Sequence, residues 1–128
     1  MSTPFVVSVP TPQLADDLAP LPEGVELIVW EMTDAAPRDH IDLIVPPYLD
    51  VAERYPRLAG VRAQLVQSQS IGYDGVAAAL PSGHVFANAA SVHETSTAEL
   101  ALTLTLAAQR GLPEFVRAQE HGRWQTIF

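Results

Sequence analysis

The chain has 128 residues, which is enough for one ordinary domain with a real core but not for two full domains. Apolar residues make up 48% of it and charged residues only 17%, a composition that excludes a disordered chain. The formal net charge of −8 repels phosphate backbones and anionic headgroups, so neither nucleic acid nor a membrane is expected as a partner.

The residue types that are absent exclude several kinds of chemistry. All 7 basic residues are arginines, so the chain has no Schiff-base lysine and no P-loop lysine. The lack of cysteine removes disulfides, thiolate nucleophiles and cysteine-ligated zinc. The N-terminus carries no basic segment of a signal peptide, and no apolar run reaches the roughly 18 residues of a membrane span. We therefore expect a cytoplasmic protein.

Five short apolar runs recur along the chain, at residues 5–9, 25–30, 42–45, 63–68 and 84–88. Near-continuous apolar runs of this length are typical of strands that are covered on both faces, as in a parallel sheet. Helix-like segments lie between them at 12–18, 48–55 and 74–80, the first of them preceded by Thr11 as a cap. This alternation predicts an α/β fold with a doubly wound parallel sheet of about five strands.

The last third of the chain has the pattern of long helices. Residues 96–110 predict one helix with Gly111 as its stop signal, and Ser96 and Glu99 have the spacing of a capping box. Its leucines surround the helix instead of forming one stripe; they are Leu100, Leu102, Leu104 and Leu106. Such a helix needs cover on nearly all sides, and its exposure would leave a patch larger than soluble monomers tolerate. We therefore expect a second domain or subunit against it, and a homodimer. A second helix opens at Pro113.

Three loops follow predicted strands at the edge where open α/β sheets bind ligands: residues 10–13, 46–49 and 69–74. The last, within Ser68-Gln-Ser-Ile-Gly-Tyr-Asp-Gly75, is the most informative. Gly72 lets a ligand approach the backbone closely, and successive N–H groups in a turn suit a carboxylate. A plain strand-to-helix turn with Asp74 as N-cap explains the same residues, and on physical grounds alone it is the simpler interpretation.

Other catalytic patterns are missing from the sequence. The 4 histidines show no HExxH or other ligand spacing, so no metal site is expected. The pair His93-Glu94 is better explained as a solvated loop pair than as an acid–base pair, because nothing nearby orients it. Neither G-x-S-x-G nor G-x-G-x-x-G occurs, so we expect no serine nucleophile and no cofactor-binding residue in this chain.

Two motifs occur in order with a defined separation. Val66-Gln-Ser-Gln-Ser-Ile-Gly-Tyr-Asp-Gly75 contains Ser-x-Gly-x-Asp after a strand, and Asn88-Ala-Ala-Ser-Val-His-Glu-Thr-Ser-Thr-Ala-Glu99 begins with Asn and ends in Ala-Glu. With the helix that follows and Gly122-Arg-Trp124, they resemble the N-terminal substrate-binding (catalytic) domain of D-isomer-specific 2-hydroxyacid dehydrogenases. The similarity is specific over about residues 63–124. It departs at Ala90-Ser91, where the family commonly has Pro-Gly, so the helix is expected to start with a different shape.

The resemblance implies an architecture and a site. Residues 1–95 would be a flavodoxin-like substrate-binding domain, and residues 96–128 would be interdomain and dimerisation helices that cross to a Rossmann domain. The chain would be truncated before that missing NAD-binding domain. The backbone amides of Ile71 and Gly72 would hold the substrate carboxylate, and the loop with Pro46, Pro47 and Tyr48 would line the substrate pocket.

The resemblance also implies a function. The chain would be the substrate-binding part of an NAD(P)-dependent oxidoreductase that acts on the CH–OH group of a D-2-hydroxy acid or reduces the 2-oxo acid. The family's catalytic arginine, glutamate and histidine lie in and after the Rossmann domain, so no catalytic residue is expected here and the chain alone is expected to be inactive. NAD or NADP would bind mainly to the missing domain. The alternative is a stand-alone flavodoxin-like module that binds or senses a small ligand without catalysis.

Overall fold

The computed structural model describes residues 3–126. The chain divides into two compact units, Met1–Ala90 and Ser91–Phe128. The domain boundary expected from the sequence lies after residue 95, and the roles assigned to the two predicted parts stay predictions. Residues 1, 2, 127 and 128 of those parts lie outside the described residues.

The first unit is built on one sheet of five strands. They are β1 Phe5–Val9, β2 Val25–Val29, β3 Leu43–Ile44, β4 Leu65–Gln67 and β5 Phe86–Ala87. All neighbouring pairs are parallel, and the strand order is β2-β1-β3-β4-β5. This is the flavodoxin-like order, in which the chain reverses its direction of growth between β1 and β3. The predicted α/β class with about five parallel strands is confirmed.

Short helices connect these strands: α1 Pro12–Asp17, α2 Val51–Arg54 with a 3-10 turn at Tyr55–Leu58, and α3 Val76–Ala79. Thr11 caps α1 as predicted, because its hydroxyl oxygen accepts the Leu14 N–H at 3.2 Å. The helix predicted from residue 48 starts later, which leaves Tyr48 in the preceding loop. Asp74 does not cap α3; Gly75 with φ 77° occupies that position.

The hydrophobic core lies on one face of the sheet. Val6, Ile44 and Val66 point to this face from neighbouring strands and pack against Tyr55 and Leu58 of the 3-10 turn. Because parallel crossovers are right-handed, α1 lies on the opposite face, which makes the sheet doubly wound. On that second face Phe5 and Val29 are 41% and 48% exposed, so it is less covered than the apolar runs predict.

The second unit contains α4 Glu94–Gln109 and α5 Leu112–Glu120, which contact each other. Gly111 ends the first of them in the left-handed conformation at φ 64°, as expected of a stop signal. No residue of α4 is buried. The helices of residues 3–126 include none with the length and hydropathy of a membrane span.

The predicted capping box of α4 is wrong. The helix starts two residues before Ser96, and His93 occupies the cap position without a side-chain hydrogen bond. The Ser96 hydroxyl donates to the His93 carbonyl, whereas a Glu94 carboxylate oxygen accepts the Ser91 N–H. Ser91 lies at φ 70°, so this non-glycine residue adopts the left-handed conformation just before the helix.

Candidate functional site

The candidate site lies where β3, β4 and β5 end. Parallel strands bring their carboxyl ends to one edge, so the loops that follow these strands are neighbours. Gln69, after β4, donates from Nε2 to the carbonyl oxygen of Pro46, after β3, at 2.9 Å. Residues 46–48 and residues 68–75 therefore belong to one surface region. We call residues 70–75 the glycine turn.

Two serine hydroxyls shape the glycine turn from within. The Ser68 N–H still belongs to the sheet and donates to the Ala87 carbonyl at 2.8 Å. The Ser68 hydroxyl oxygen accepts the Ser70 N–H at 3.0 Å, and the Ser70 hydroxyl oxygen accepts the Gly72 N–H at 3.0 Å. Each serine thus satisfies the amide two residues ahead, which bends the chain away from the strand direction.

Asn88 connects the glycine turn to the end of β5 by hydrogen bonds. Its side-chain Nδ2 donates to the Ile71 carbonyl at 2.8 Å, and its Oδ1 accepts the Ala90 N–H at 3.3 Å. The next residue, Ala89, donates its N–H to the Ser70 carbonyl at 2.9 Å. The sequence analysis did not predict this role of Asn88. The signal that could have indicated it is the position of Asn88 as the first residue of the second motif.

The two expected amide donors differ in the structure. Among residues 3–126 the Ile71 N–H meets no hydrogen-bond acceptor, whereas the Gly72 N–H is bonded to the Ser70 hydroxyl oxygen. The Ser70 hydroxyl keeps its own proton available to donate. An acid group at this turn can therefore accept from the Ile71 amide and the Ser70 hydroxyl, with the Gly72 amide polarising that hydroxyl from behind.

Gly72 leaves the space over this backbone open. Its φ lies outside the left-handed region, and a Cβ built on it would approach only the Ser70 hydroxyl oxygen, at 3.4 Å. The backbone conformation therefore does not require glycine here. The absent side chain instead leaves the neighbouring Ile71 amide open to close approach by a ligand.

The loop after β3 offers less surface than the sequence suggested. The Pro46 side chain is fully buried, and its carbonyl oxygen is bonded to Gln69. Pro47 is half-buried, and Tyr48 is 60% exposed. Of these three residues, Pro47 and Tyr48 have side-chain surface that a ligand can reach.

An aromatic pair, buried Tyr55 and half-buried Phe86, lies on the core side of the sheet. Tyr55 is 2% exposed, and its ring lies 6.3 Å from that of Phe86 on β5. Burial raises the pKa of the Tyr55 phenol, and the Ser68 hydroxyl opposes that shift by hydrogen bonding. The phenol therefore stays neutral, and the aromatic pair belongs to the hydrophobic core beneath the sheet.

A cleft of about 410 Å³ adjoins the glycine turn, between α3 and β5. Tyr73 of the turn and Asn88 line it together with apolar residues of α3 and β5; these include Val76, Ala77, Leu80 and Phe86. Among residues 3–126, no charged side chain lines this cleft, which we call the α3–β5 cleft.

These residues lack the glycine pattern of a nucleotide-binding turn. Gly72 and Gly75 lack a third glycine in register, and the four-residue α3 is too short to bind a pyrophosphate at its start. Within residues 3–126, no group of three or more His, Asp or Glu side chains could hold a metal ion. No protein-family model, curated protein or solved structure matches this chain.

Proposed function

We propose that this chain is the substrate-binding part of an NAD(P)-dependent oxidoreductase, which oxidises a D-2-hydroxy acid or reduces the matching 2-oxo acid. Its own role is to hold and orient the acid through the carboxylate. Hydride transfer would need groups that the described residues do not supply, so the chain alone is proposed to be inactive, in agreement with the absence of a nucleotide fingerprint.

The observation that carries this proposal is the open glycine turn at the carboxyl edge of the sheet. The Ile71 amide has no acceptor within the described residues, and the neighbouring Gly72 has no side chain to cover it. Asn88 holds the turn in this shape by bonding to the Ile71 carbonyl. Donors fixed in advance bind an anion without a further ordering cost.

The exposure of α4 supports the assignment to a larger enzyme. Its four leucines are between 55% and 61% exposed; they are Leu100, Leu102, Leu104 and Leu106. Exposed apolar surface of this kind is typical of a helix that packs against a second domain or subunit. We propose a nucleotide-binding domain and a second copy of the enzyme as the partners of this helix, in the cytoplasm.

The test is a titration of the isotope-labelled chain with pyruvate, followed by amide NMR. We expect the signals of Ile71 and Gly72 to shift, and methyl pyruvate, which has no carboxylate, to leave them unchanged. The variant Gly72→Ala should weaken pyruvate binding by about tenfold or more, because its methyl group blocks access to the amides.

Gly75→Ala is the control that shows the effect of backbone strain when a glycine of the same turn is replaced by alanine. Gly75 lies at φ 77° with nothing within 4 Å of the place that a methyl group would occupy, so alanine there strains the backbone and lowers stability by about 1 kcal/mol. Gly72→Ala should keep the wild-type unfolding temperature. If pyruvate shifts no amide of the turn, or if Gly72→Ala binds it as well as the wild type does, the proposal is wrong.

A further inference from the structure

The α3–β5 cleft has the character of a small apolar binding site. Its volume of about 410 Å³ lies within the range of small-molecule pockets, roughly 300–1,000 Å³. Val76 is buried at its base, whereas Leu80 and Phe86 are half-buried and show part of their side chains to the space. An apolar ligand group that enters this cleft leaves water and contacts apolar side chains.

The polar atoms that Asn88 contributes to this cleft are already bonded. Asn88 is its polar lining residue besides the Tyr73 phenol, and both ends of its side-chain amide are used, by the Ile71 carbonyl and the Ala90 N–H. The Asn88 carbonyl oxygen accepts from Gln67 Nε2 at 3.1 Å. Because the described lining residues carry no charge, a charged ligand group would lose hydration in this cleft without gaining an opposite charge.

The cleft and the glycine turn are contiguous through two residues. Tyr73 follows Gly72 directly and forms one wall of the cleft. Asn88 lines another wall and bonds to the carbonyl of Ile71, the residue whose amide faces no protein acceptor within the described part of the chain. A ligand with a carboxylate at the turn therefore has an apolar space beside it for the rest of the molecule.

We propose that the α3–β5 cleft selects acids with a bulky, uncharged side chain, such as branched-chain or aromatic 2-oxo and 2-hydroxy acids. This inference rests on the proposed function, because the carboxylate has to be held at the glycine turn. The side chain of the acid then packs between Leu80 of the loop that follows α3 and Phe86 of β5, with the Tyr73 ring as the outer wall.

The experiment compares three acids on the labelled chain: pyruvate, 4-methyl-2-oxopentanoate and 2-oxoglutarate. The branched acid should bind about tenfold more tightly than pyruvate, since an added methylene group in an apolar pocket gives discrimination of about tenfold or more. It should also shift the signals of Leu80 and Phe86, which pyruvate should leave in place. Tighter binding of 2-oxoglutarate than of the branched acid would overturn the inference.

Two variants of α3 distinguish the effect of a side chain that fills the cleft from the effect of any substitution in this helix. Ala77 lines the cleft and Ala78, its exposed neighbour, does not. Ala77→Leu should remove the tenfold advantage of the branched acid and leave pyruvate binding unchanged, whereas Ala78→Leu should change neither affinity. The advantage surviving in Ala77→Leu would overturn the inference.

The failure of this inference can be distinguished from the failure of the proposed function. If both acids shift the glycine turn with equal affinity, the cleft does not select and only the inference falls. If neither acid shifts the turn, the proposed function falls and the inference falls with it. The unfolding temperatures of the two leucine variants, measured beside the wild type, show whether each chain is folded.

Discussion

A single buried carboxylate connects three segments at the amino ends of the strands. Asp42 is 7% exposed, and its Oδ2 accepts the Val6 N–H at 2.8 Å. Its Oδ1 accepts from Gln64 Nε2 at 2.8 Å, and His40 Nε2 lies 3.4 Å from the same oxygen. The Val6 N–H bond lowers the pKa of Asp42 most, and the Gln64 bond and the nearby His40 act in the same direction against the effect of burial.

Asp42→Asn should destabilise the chain by about 2 kcal/mol near neutral pH, because the amide keeps one acceptor and turns a donor towards the second one. The folded-state pKa lies below its ordinary value of 3.8, so the stabilisation is fully present above 3.8 and is lost as pH falls through the lowered pKa. Urea unfolding over this pH range should show the wild type and the variant converging in acid.

Asp39→Asn is the charge-matched control for this prediction. Asp39 lies three residues away and is exposed, so its neutralisation should change the free energy of unfolding by no more than about 0.5 kcal/mol. Equal losses in the two variants would show that net charge, and not the buried hydrogen bonds of Asp42, sets the acid sensitivity.

Contacts of this kind limit what the sequence predicts at single positions. Asp42 was assigned to an apolar run, and its partner Val6 lies 36 residues away, so no local pattern connects them. Met32 is fully buried although it follows β2 in a loop and lies at φ 58°, a conformation that a sequence pattern does not assign to methionine. Burial of its side chain in the core offsets that local strain.

At the scale of elements, the centres of the strands were predictable and their ends were not. Hydrophobic runs locate core-facing strand residues such as Val66 and Phe86, but a strand ends where its neighbour stops pairing. His84 shows the difference, since it belongs to the predicted run but precedes β5, and its ring nitrogens lie 3.0 Å from the carbonyl oxygens of Pro81 and Val61. The predicted start of α4 was wrong for a similar reason. The local sequence does not show whether Glu94 or Glu99 accepts a backbone N–H at the start of the helix.

The start of α4 gives a prediction that separates Glu94 from Glu99. Glu94→Ala should speed amide exchange at Ser91 and in the first turn of the helix, because its carboxylate accepts the Ser91 N–H. That bond lowers the pKa of Glu94 below its ordinary value of 4.5, so the protection should be present above that pH and fade as pH falls through the lowered pKa. Amide exchange measured by NMR at stepwise pH checks both points.

Glu99→Ala tests the capping box that the sequence suggested. Glu99 is exposed, and in a Ser96–Glu99 capping box its carboxylate would accept the Ser96 N–H. Because the helix starts at Glu94 instead, exchange at Ser96 should match the wild type in this variant. Faster exchange at Ser96 in Glu99→Ala than in the wild type would restore the capping box and contradict a helix start at Glu94.

At the scale of the whole molecule, alternation of strands and helices was enough to predict a doubly wound parallel sheet. The strand order then places the loops after β3 and β4 at one edge without further information. The sequence also located the glycine turn. It did not predict the hydrogen bond from Asn88 to the Ile71 carbonyl or the bond from the Gly72 amide to the Ser70 hydroxyl. Those features depend on side-chain directions that arise only after the strands have paired.

The expected homodimer is the prediction that belongs to the whole molecule. The stretch of α4 between Glu99 and Arg110 has no charged residue, and the burial of the exposed part of each leucine would stabilise an assembly by about 1 kcal/mol. Sedimentation of the wild-type chain over a range of concentrations should therefore show reversible association. A sharp monomer at every concentration would contradict it.

Two arginine variants test whether the apolar surface of α4 causes this association. Leu104→Arg should weaken it by about tenfold or more, because a guanidinium group would lose its hydration in an apolar contact. Thr103→Arg adds the same charge without removing a leucine, and it lies one turn after Glu99, where it can form an i,i+4 pair. It should therefore associate like the wild type. Equal weakening in both variants would mean that charge alone, and not burial of the leucines, controls the assembly.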